Sequence, residues 1–300
     1  MAQIIFSRIL QAFMLVIFVN TICFIMMQVL PGNQAMRIAA GRYGPDGMTN
    51  EIAQSVALEL GLNRPIFEQY WDSIFSLLNF DLGYSLVSGE KVIHEIQTQL
   101  GYSLYLALFS FVLTLLIAFP LGIFSGAKSG GIIDKVSMVF SILIKAIPPF
   151  LLGLLLMLVF SLYLKILPPA GFEDWTYLIL PAFTLALGLS AVSNRLIRES
   201  MLDVTHSFYY SFAKYKGLNN WAIIKRHGIK NALIPIISFL ALQSIYLIEG
   251  VVIVESIFAF PGIGHALVHA IISRDIPMIQ GSVIIMGLLF VSINLFADML

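Results

Sequence analysis

Three sets of side chains in this sequence have the types and spacing for chemistry. His265 and His269 stand four apart, which puts both imidazoles on one face of a helix, as a metal pair requires. Two ligands with no cysteine nearby are too few for a tight site, so the pair reads as ordinary helix residues, with metal binding as the alternative. Lys145 and Glu249 are opposite charges inside apolar runs, where an unpaired charge is costly. They are either an ion pair that ties two helices together or, with Pro148, a polar lining that meets a zwitterionic or chelated substrate. Gly122, Gly126, Lys128 and Ser129 approach a phosphate-binding loop, but Ala127 separates the glycine from the lysine that the Walker pattern places next to it. No other stretch fits that pattern. There is also no His-Glu-x-x-His motif, no serine–histidine pairing in the apolar runs and no aspartate pair in neighbouring runs. An intramembrane enzyme is therefore disfavoured, no catalytic residue is expected, and no cofactor bound by this chain is expected.

The elements that carry these residues are set by hydropathy. Of 300 residues, 59% are apolar and only 11% charged, against roughly a quarter charged in soluble domains. That composition means a polytopic membrane protein. The formal net charge of zero says little, because the charge is sorted by region. The single cysteine, Cys23, excludes an internal disulfide and a cysteine-based metal cluster.

Taken in order, the first uncharged run is Ile9 to Leu30, closed by Pro31-Gly32. At about 20 residues per crossing it spans once, and it is too long for the apolar core of a signal peptide. Residues 32–95 form a polar, net acidic external segment. Within it, Thr49-Asn50-Glu51 through Leu60-Gly61 predicts a capped helix closed by glycine. Pro65 to Trp71 predicts an amphipathic helix near the membrane interface. Further runs follow at Ile96–Ala127, Val136–Leu164, Tyr177–Asn194, Ala232–Val254 and Pro277–Ala297. The second is longer than one crossing needs, so it tilts or extends beyond the bilayer. The third contains Pro148-Pro149, a break tolerated where a helix lines a cavity.

Between the fourth and fifth runs lies the strongest charge signal, over 195–231. Arg195, Arg198, Lys214, Lys216, Lys225, Arg226 and Lys230 face only Glu199 and Asp203. Positive charge marks the cytoplasmic side. Six crossings then place both termini and this loop in the cytoplasm. A short amphipathic helix ended by Gly217 offers a compact knob to a partner. The fold class expected is all-α, with six transmembrane helices in one membrane domain over 1–300.

The loop pattern Ala213-Lys214-Tyr215-Lys216-Gly217-Leu218, then His227, Asn231 and Pro235, resembles the coupling loop of ABC importer permeases of the dipeptide/oligopeptide/nickel group. Phe208, Phe212 and Tyr215 depart from it in bulk or charge. Glu255-x-x-Phe258-x-Phe260-Pro261-Gly262-x-Gly264, with Arg274-Asp275-x-Pro277 and Gln280, resembles that family's external cap over 256–276. Leu60-Gly61-Leu62-x-x-Pro65, Phe80-Asp81-Leu82-Gly83-x-Ser85 and Leu167-Pro168-x-x-Gly171 resemble it too. The resemblance implies a second homologous permease, two ATP-binding subunits that use ATP-Mg, and an external substrate-binding protein, with no nucleic acid partner. It implies a cytoplasmic coupling helix, an external re-entrant segment, a place in the bacterial inner membrane, and alternating access driven through residues 213–218. His227 is assigned a structural role near Asn231. The resemblance further implies an Asp-Pro-Arg tail beyond Asp298, which the sequence lacks, so a shortened C-terminus is expected. The cargo is read as nickel, a metal chelate (metallophore) or short peptides. The alternatives are an importer of dipeptides or oligopeptides only, and an ion-coupled secondary transporter, against which the absence of an inverted repeat argues.

Overall fold

The computed structural model describes residues 2–29, 32–44, 49–59 and 61–299; the side chains of residues 2, 34, 37, 41, 220 and 227 lie outside the description. The expected roles of Pro31 and Leu60 at helix ends therefore fall outside the described residues. Thirteen α-helices are described, and no strand among the described residues. In chain order they are α1 (Ala2–Val29), α2 (Gln34–Tyr43), α3 (Asn50–Glu59), α4 (Ile66–Leu78), α5 (Val92–Ala127), α6 (Ile132–Ala146) and α7 (Pro149–Met157). They continue with α8 (Thr176–Thr205), α9 (Phe208–Tyr215), α10 (Asn220–Ile223), α11 (Ile229–Ile257), α12 (Ile263–Ser273) and α13 (Ile276–Met299). Two π-helical turns, Leu158–Tyr163 and Ile224–Gly228, extend α7 and lead into α11.

Among the described residues, five helices are long and apolar enough to cross a membrane: α1, α5, α8, α11 and α13. The third apolar run of the sequence is not a straight rod. It is α6 and α7, bent by 101° at the break, and it makes a sixth crossing only if the bent pair counts as one. Two prolines explain the bend. Pro148 and Pro149 lack the N–H groups that would close the ladder, and the first restricts Ile147 to the extended backbone it adopts, φ −90° and ψ 124°.

The chain packs as two compact units, Met1–Ser103 with Pro261–Leu295, and Leu104–Phe260 with Phe296–Leu300. In the first unit, α2 and α3 close a small core of Ile38, Ala39 and Val56. Thr49 Oγ1 accepts from Ile52 N at 3.3 Å, the cap that the sequence predicts. The helix α2 was not foreseen. Its start signal is Asn33, whose side chain accepts from Met36 N. A second core joins Val92 and Ile96 of α5 to Ile263, Ala270 and Met278.

In the second unit α8 is the central element, with the largest share of buried side chains of any candidate span. Its seam with α5 runs through Gly122 and Gly126, a pair four residues apart that lets backbones approach. A β-carbon on Gly126 would lie 2.5 Å from Arg198 O, and one on Gly122 2.6 Å from Ile197 Cβ. These glycines are thus a packing seam, which accounts physically for their failure as a phosphate loop. Ala118, Ile197, Met201, Val204, Ala232 and Ile236 complete the core beside it. Gly126→Val should overpack this seam and cost about 1–3 kcal/mol, read as a lower unfolding temperature of the purified protein, with Gly188→Val on α8 as a control at a helical position open around its Cα.

Candidate functional site

The basic stretch does not become a loop at Arg195. The helix α8 carries Arg195 and Arg198 and continues to Thr205, supported by an i,i+4 pair from Arg195 to Glu199 at 3.2 Å. Ser207 then starts α9: its hydroxyl donates to Val204 O at 2.6 Å and accepts from Tyr210 N at 3.3 Å. Ala213 is the one buried residue of α9. Around it Phe208, Tyr209, Phe212, Lys214, Tyr215 and Lys216 are exposed. The Lys216 ammonium lies 4.7 Å from the Phe212 ring centroid, a cation–π contact. Gly217 ends the helix with φ +77°, a left-handed backbone that glycine adopts freely and other residues resist. The result is an aromatic and basic knob, held by one buried alanine. Leu218 is half-buried and Asn231, on α11, is exposed. The His227 side chain lies outside the described residues.

What anchors the knob is a pair that charge counting along the loop did not find. Asp134, at the start of α6, accepts a two-pronged contact from the Arg198 guanidinium, Nη2 to Oδ2 at 2.8 Å and Nε to Oδ1. Their side chains are only 5% and 17% exposed. Gly130 N donates to the same carboxylate at 2.8 Å. The signal was present: an aspartate two residues into an apolar helix, beside Gly130-Gly131. Further along α8, Asn194 donates to Ser141 Oγ at 2.9 Å, and Ser193 donates to Gln243 Oε1 at 2.7 Å. These bonds join α6, α8 and α11 through polar contacts in a mostly apolar setting.

Lys145 and Glu249 are both exposed, and no ion pair joins them. Lys145 follows Asp134, Ser137 and Ser141 on one stripe of α6 and sits in its last turn, where the helix dipole favours a cation. Glu249 is on the opposite side of α11 from the buried Gln243, Leu247 and Val251. The helix-tying reading of this pair therefore has no support in the geometry. Pro148 caps α7 at the bend.

The cap residues divide between the two units. In one, Glu255 and Phe260 are fully buried; Phe260 stacks edge-on to Phe172 at 5.2 Å, and Gly171 N donates to Phe258 O at 2.7 Å. In the other, Pro261 leads to Gly262, which starts α12, and Gly264 is buried in its first turn. Asp275, also buried, accepts from Ser85 Oγ, from Leu86 N at 3.1 Å and from Met278 N at 3.3 Å. It pins the segment before α5 to the turn between α12 and α13. His265 and His269 stack edge to face at 4.5 Å beside a cavity of about 320 Å³ that Glu95 and Gln99 also line. Among the described residues no three His, Cys, Asp or Glu side chains are gathered to hold a metal ion.

Residues 118–300 match the family described as binding-protein-dependent transport system inner membrane component, and residues 1–107 match its N-terminal companion. The chain belongs to this family. It is an ABC importer permease of the dipeptide/oligopeptide/nickel type. It is 34% identical, over 98% of its length and 94% of the relative's, to the glutathione transport system permease protein GsiC of Pectobacterium atrosepticum. The protein of the same name from Escherichia coli K12 is 33% identical over the whole chain and 96% of its own length. A crystal structure of an amino acid ABC transporter with histidines covers 69% of the chain and 95% of its own at a TM-score of 0.52 and 17% identity, a likeness of fold.

Two outcomes follow for the permease. Asp134→Asn leaves Arg198 buried without its counter-charge and should cost about 3–5 kcal/mol. A smaller loss in the double variant Asp134→Leu with Arg198→Met, read by chemical denaturation in detergent, checks that the cost is the orphaned charge. Burial, then the neighbouring His269, holds the His265 imidazole below its ordinary pKa. The unfolded chain thus binds that proton more readily, so the contribution of His265 to stability is full above its unfolded value of about 6.5 and is lost as pH falls from there through the depressed folded value. The protection factor of α12 against hydrogen exchange, taken relative to the intrinsic rate at each pH, should fall from pH 7.5 to 5.5, and His265→Phe should flatten that dependence.

Proposed function

We propose that this chain forms half of the translocation pathway of an ATP-driven importer for short peptides, with a glutathione-like tripeptide as the first cargo to test. The observation that carries the reading is end-to-end similarity, at 33–34% identity, to permeases named for glutathione transport. The charges agree with it. A peptide brings both an ammonium and a carboxylate, and Glu249 and Lys145 are exposed without each other as partner. Nothing in the geometry favours nickel or a metallophore over a peptide.

In this reading the chain breaks no bond. Two ATP-binding subunits hydrolyse ATP-Mg, a second permease completes the pathway, and an external binding protein delivers cargo. Both termini and α9 face the cytoplasm of the bacterial cell. The exposed rings of Phe208, Phe212 and Tyr215 seat in an ATPase groove, and the Lys214 and Lys216 ammonium groups fix orientation at its rim. Closure of the ATPases pushes the knob. The Asp134–Arg198 contact passes that displacement from α8 to α6, and the bundle switches between two accessible states. On the family pattern, the segment that carries Glu255, Phe260, Pro261, Gly262, Gly264 and Asp275 lies on the external side.

Cells lacking the chain should lose uptake of labelled glutathione and regain it with the restored gene, at unchanged nickel, cobalt and zinc content. Loss of metal content alone would replace the peptide reading with a metal one. Gly217→Asp forces a left-handed aspartate and adds a negative charge to a basic knob. Uptake should vanish in that variant while the external protein still binds substrate with its usual affinity.

A further inference from the structure

The helix α4 has three faces, and only two have partners. One face packs on α1: Tyr70 meets Phe24 edge-on at 5.3 Å, its hydroxyl lies 2.9 Å from Thr21 Oγ1, and Asn20 Nδ2 donates to Ser73 Oγ at 3.2 Å. A second face carries Glu68 and Asp72 into solvent, with Asp72 paired to Arg64 at 2.8 Å. The third is a stripe of Phe67, Trp71, Phe75 and Leu78, spaced to share one side of the helix. These four are 71%, 44%, 59% and 55% exposed. Their rings contact one another, Phe67 to Trp71 at 6.0 Å and Trp71 to Phe75 at 6.1 Å, so the stripe is one continuous apolar surface. No residue of α4 is buried.

We propose that this stripe is seated in the lipid bilayer, at the boundary of headgroups and acyl chains in the leaflet that holds the C-terminal half of α1. The argument for lipid is continuity. The helix α1 is a candidate span, and Phe18, Ile22, Ile25 and Met26 stand exposed along it at the level where α4 is fixed. Tryptophan and phenylalanine suit that depth, with the acids of the second face turned to water. The charge pattern adds a constraint. Interfacial helices usually carry lysine and arginine toward anionic headgroups, whereas the polar face here is acidic. Apolar insertion and the tether to α1 therefore hold α4 down, and lipid charge does not.

The test uses Trp71 as the reporter. Trp175→Phe and Trp221→Phe keep aromatic rings at those sites and leave one tryptophan in the full chain, reconstituted in phosphatidylcholine vesicles. Phosphatidylcholine brominated high on the acyl chains should quench Trp71 at least about twofold more than chains brominated near the bilayer centre. Aqueous iodide should quench it little, and replacing half the lipid with phosphatidylglycerol should change neither result. Phe67→Ser with Phe75→Ser should move Trp71 toward iodide while helix content stays constant. Strong iodide quenching in the starting protein would overturn the proposal, because the stripe would then face water. Protection from both quenchers would overturn it as well, because a protein surface, such as a second copy of the chain, would then cover it.

Discussion

One buried charge contact holds the basic end of the second unit together. Arg198 extends from α8 into the start of α6, where Asp134 and the Gly130 amide close around it. Burying two charges costs desolvation that only tight mutual bonding offsets. That cost selects geometry: α6 and α8 meet at one register or the contact is lost. The aromatic knob on α9 is then carried on a fixed base, because Ser207 grips Val204 just one helical turn and a half beyond Arg198. Without the contact, α8 and α9 would lose their charged tie to α6.

The same logic is repeated along α8 with neutral groups. Asn194 and Ser193 reach α6 and α11 respectively, and each bond is short. In a lipid setting, apolar packing alone distinguishes poorly between helix partners, since acyl chains are as apolar as leucine. Polar bonds and the close approach at Gly122 and Gly126 supply the specificity instead. This explains why α8 holds so many small and polar residues for a spanning helix.

Much of this was legible in the sequence, for identifiable reasons. Long apolar runs announce spans because the bilayer demands length, so α5, α11 and α13 begin and end near the expected positions, whereas α1 ends as expected but begins at Ala2, well before Ile9, because the polar Ser7 and Arg8 do not break a helix. Gly217 announced the end of α9 because the left-handed backbone needs it. Contacts across distance were not legible. Nothing local to Asp134 names Arg198 as its partner, sixty-four residues on. Lys145 and Glu249 invited pairing because opposite charges in apolar runs usually meet, but helix faces decide contact, and theirs diverge. Arg195 suggested a loop because of its charge, although no helix breaker intervenes before His206 and Ser207. The bend at Pro148 was foreseeable as a break, but its angle depends on tertiary packing.

The π-helical turn at Ile224–Gly228 has a geometric consequence for everything after it. A turn of that kind takes in an extra residue, and each residue advances the azimuth of an α-helix by about 100°. The faces of α11 are therefore phased by this wide turn as well as by the sequence of α11 itself. It sets which side chains meet α8, Gln243 and Leu247 among them, and which look away, Glu249 among them. It also sets Gly228 beneath the Met201 methyl, where a β-carbon would stand 2.7 Å away. The turn thus acts as a phase reference, a short segment next to the knob that determines the angular setting of a helix running to the other end of the unit.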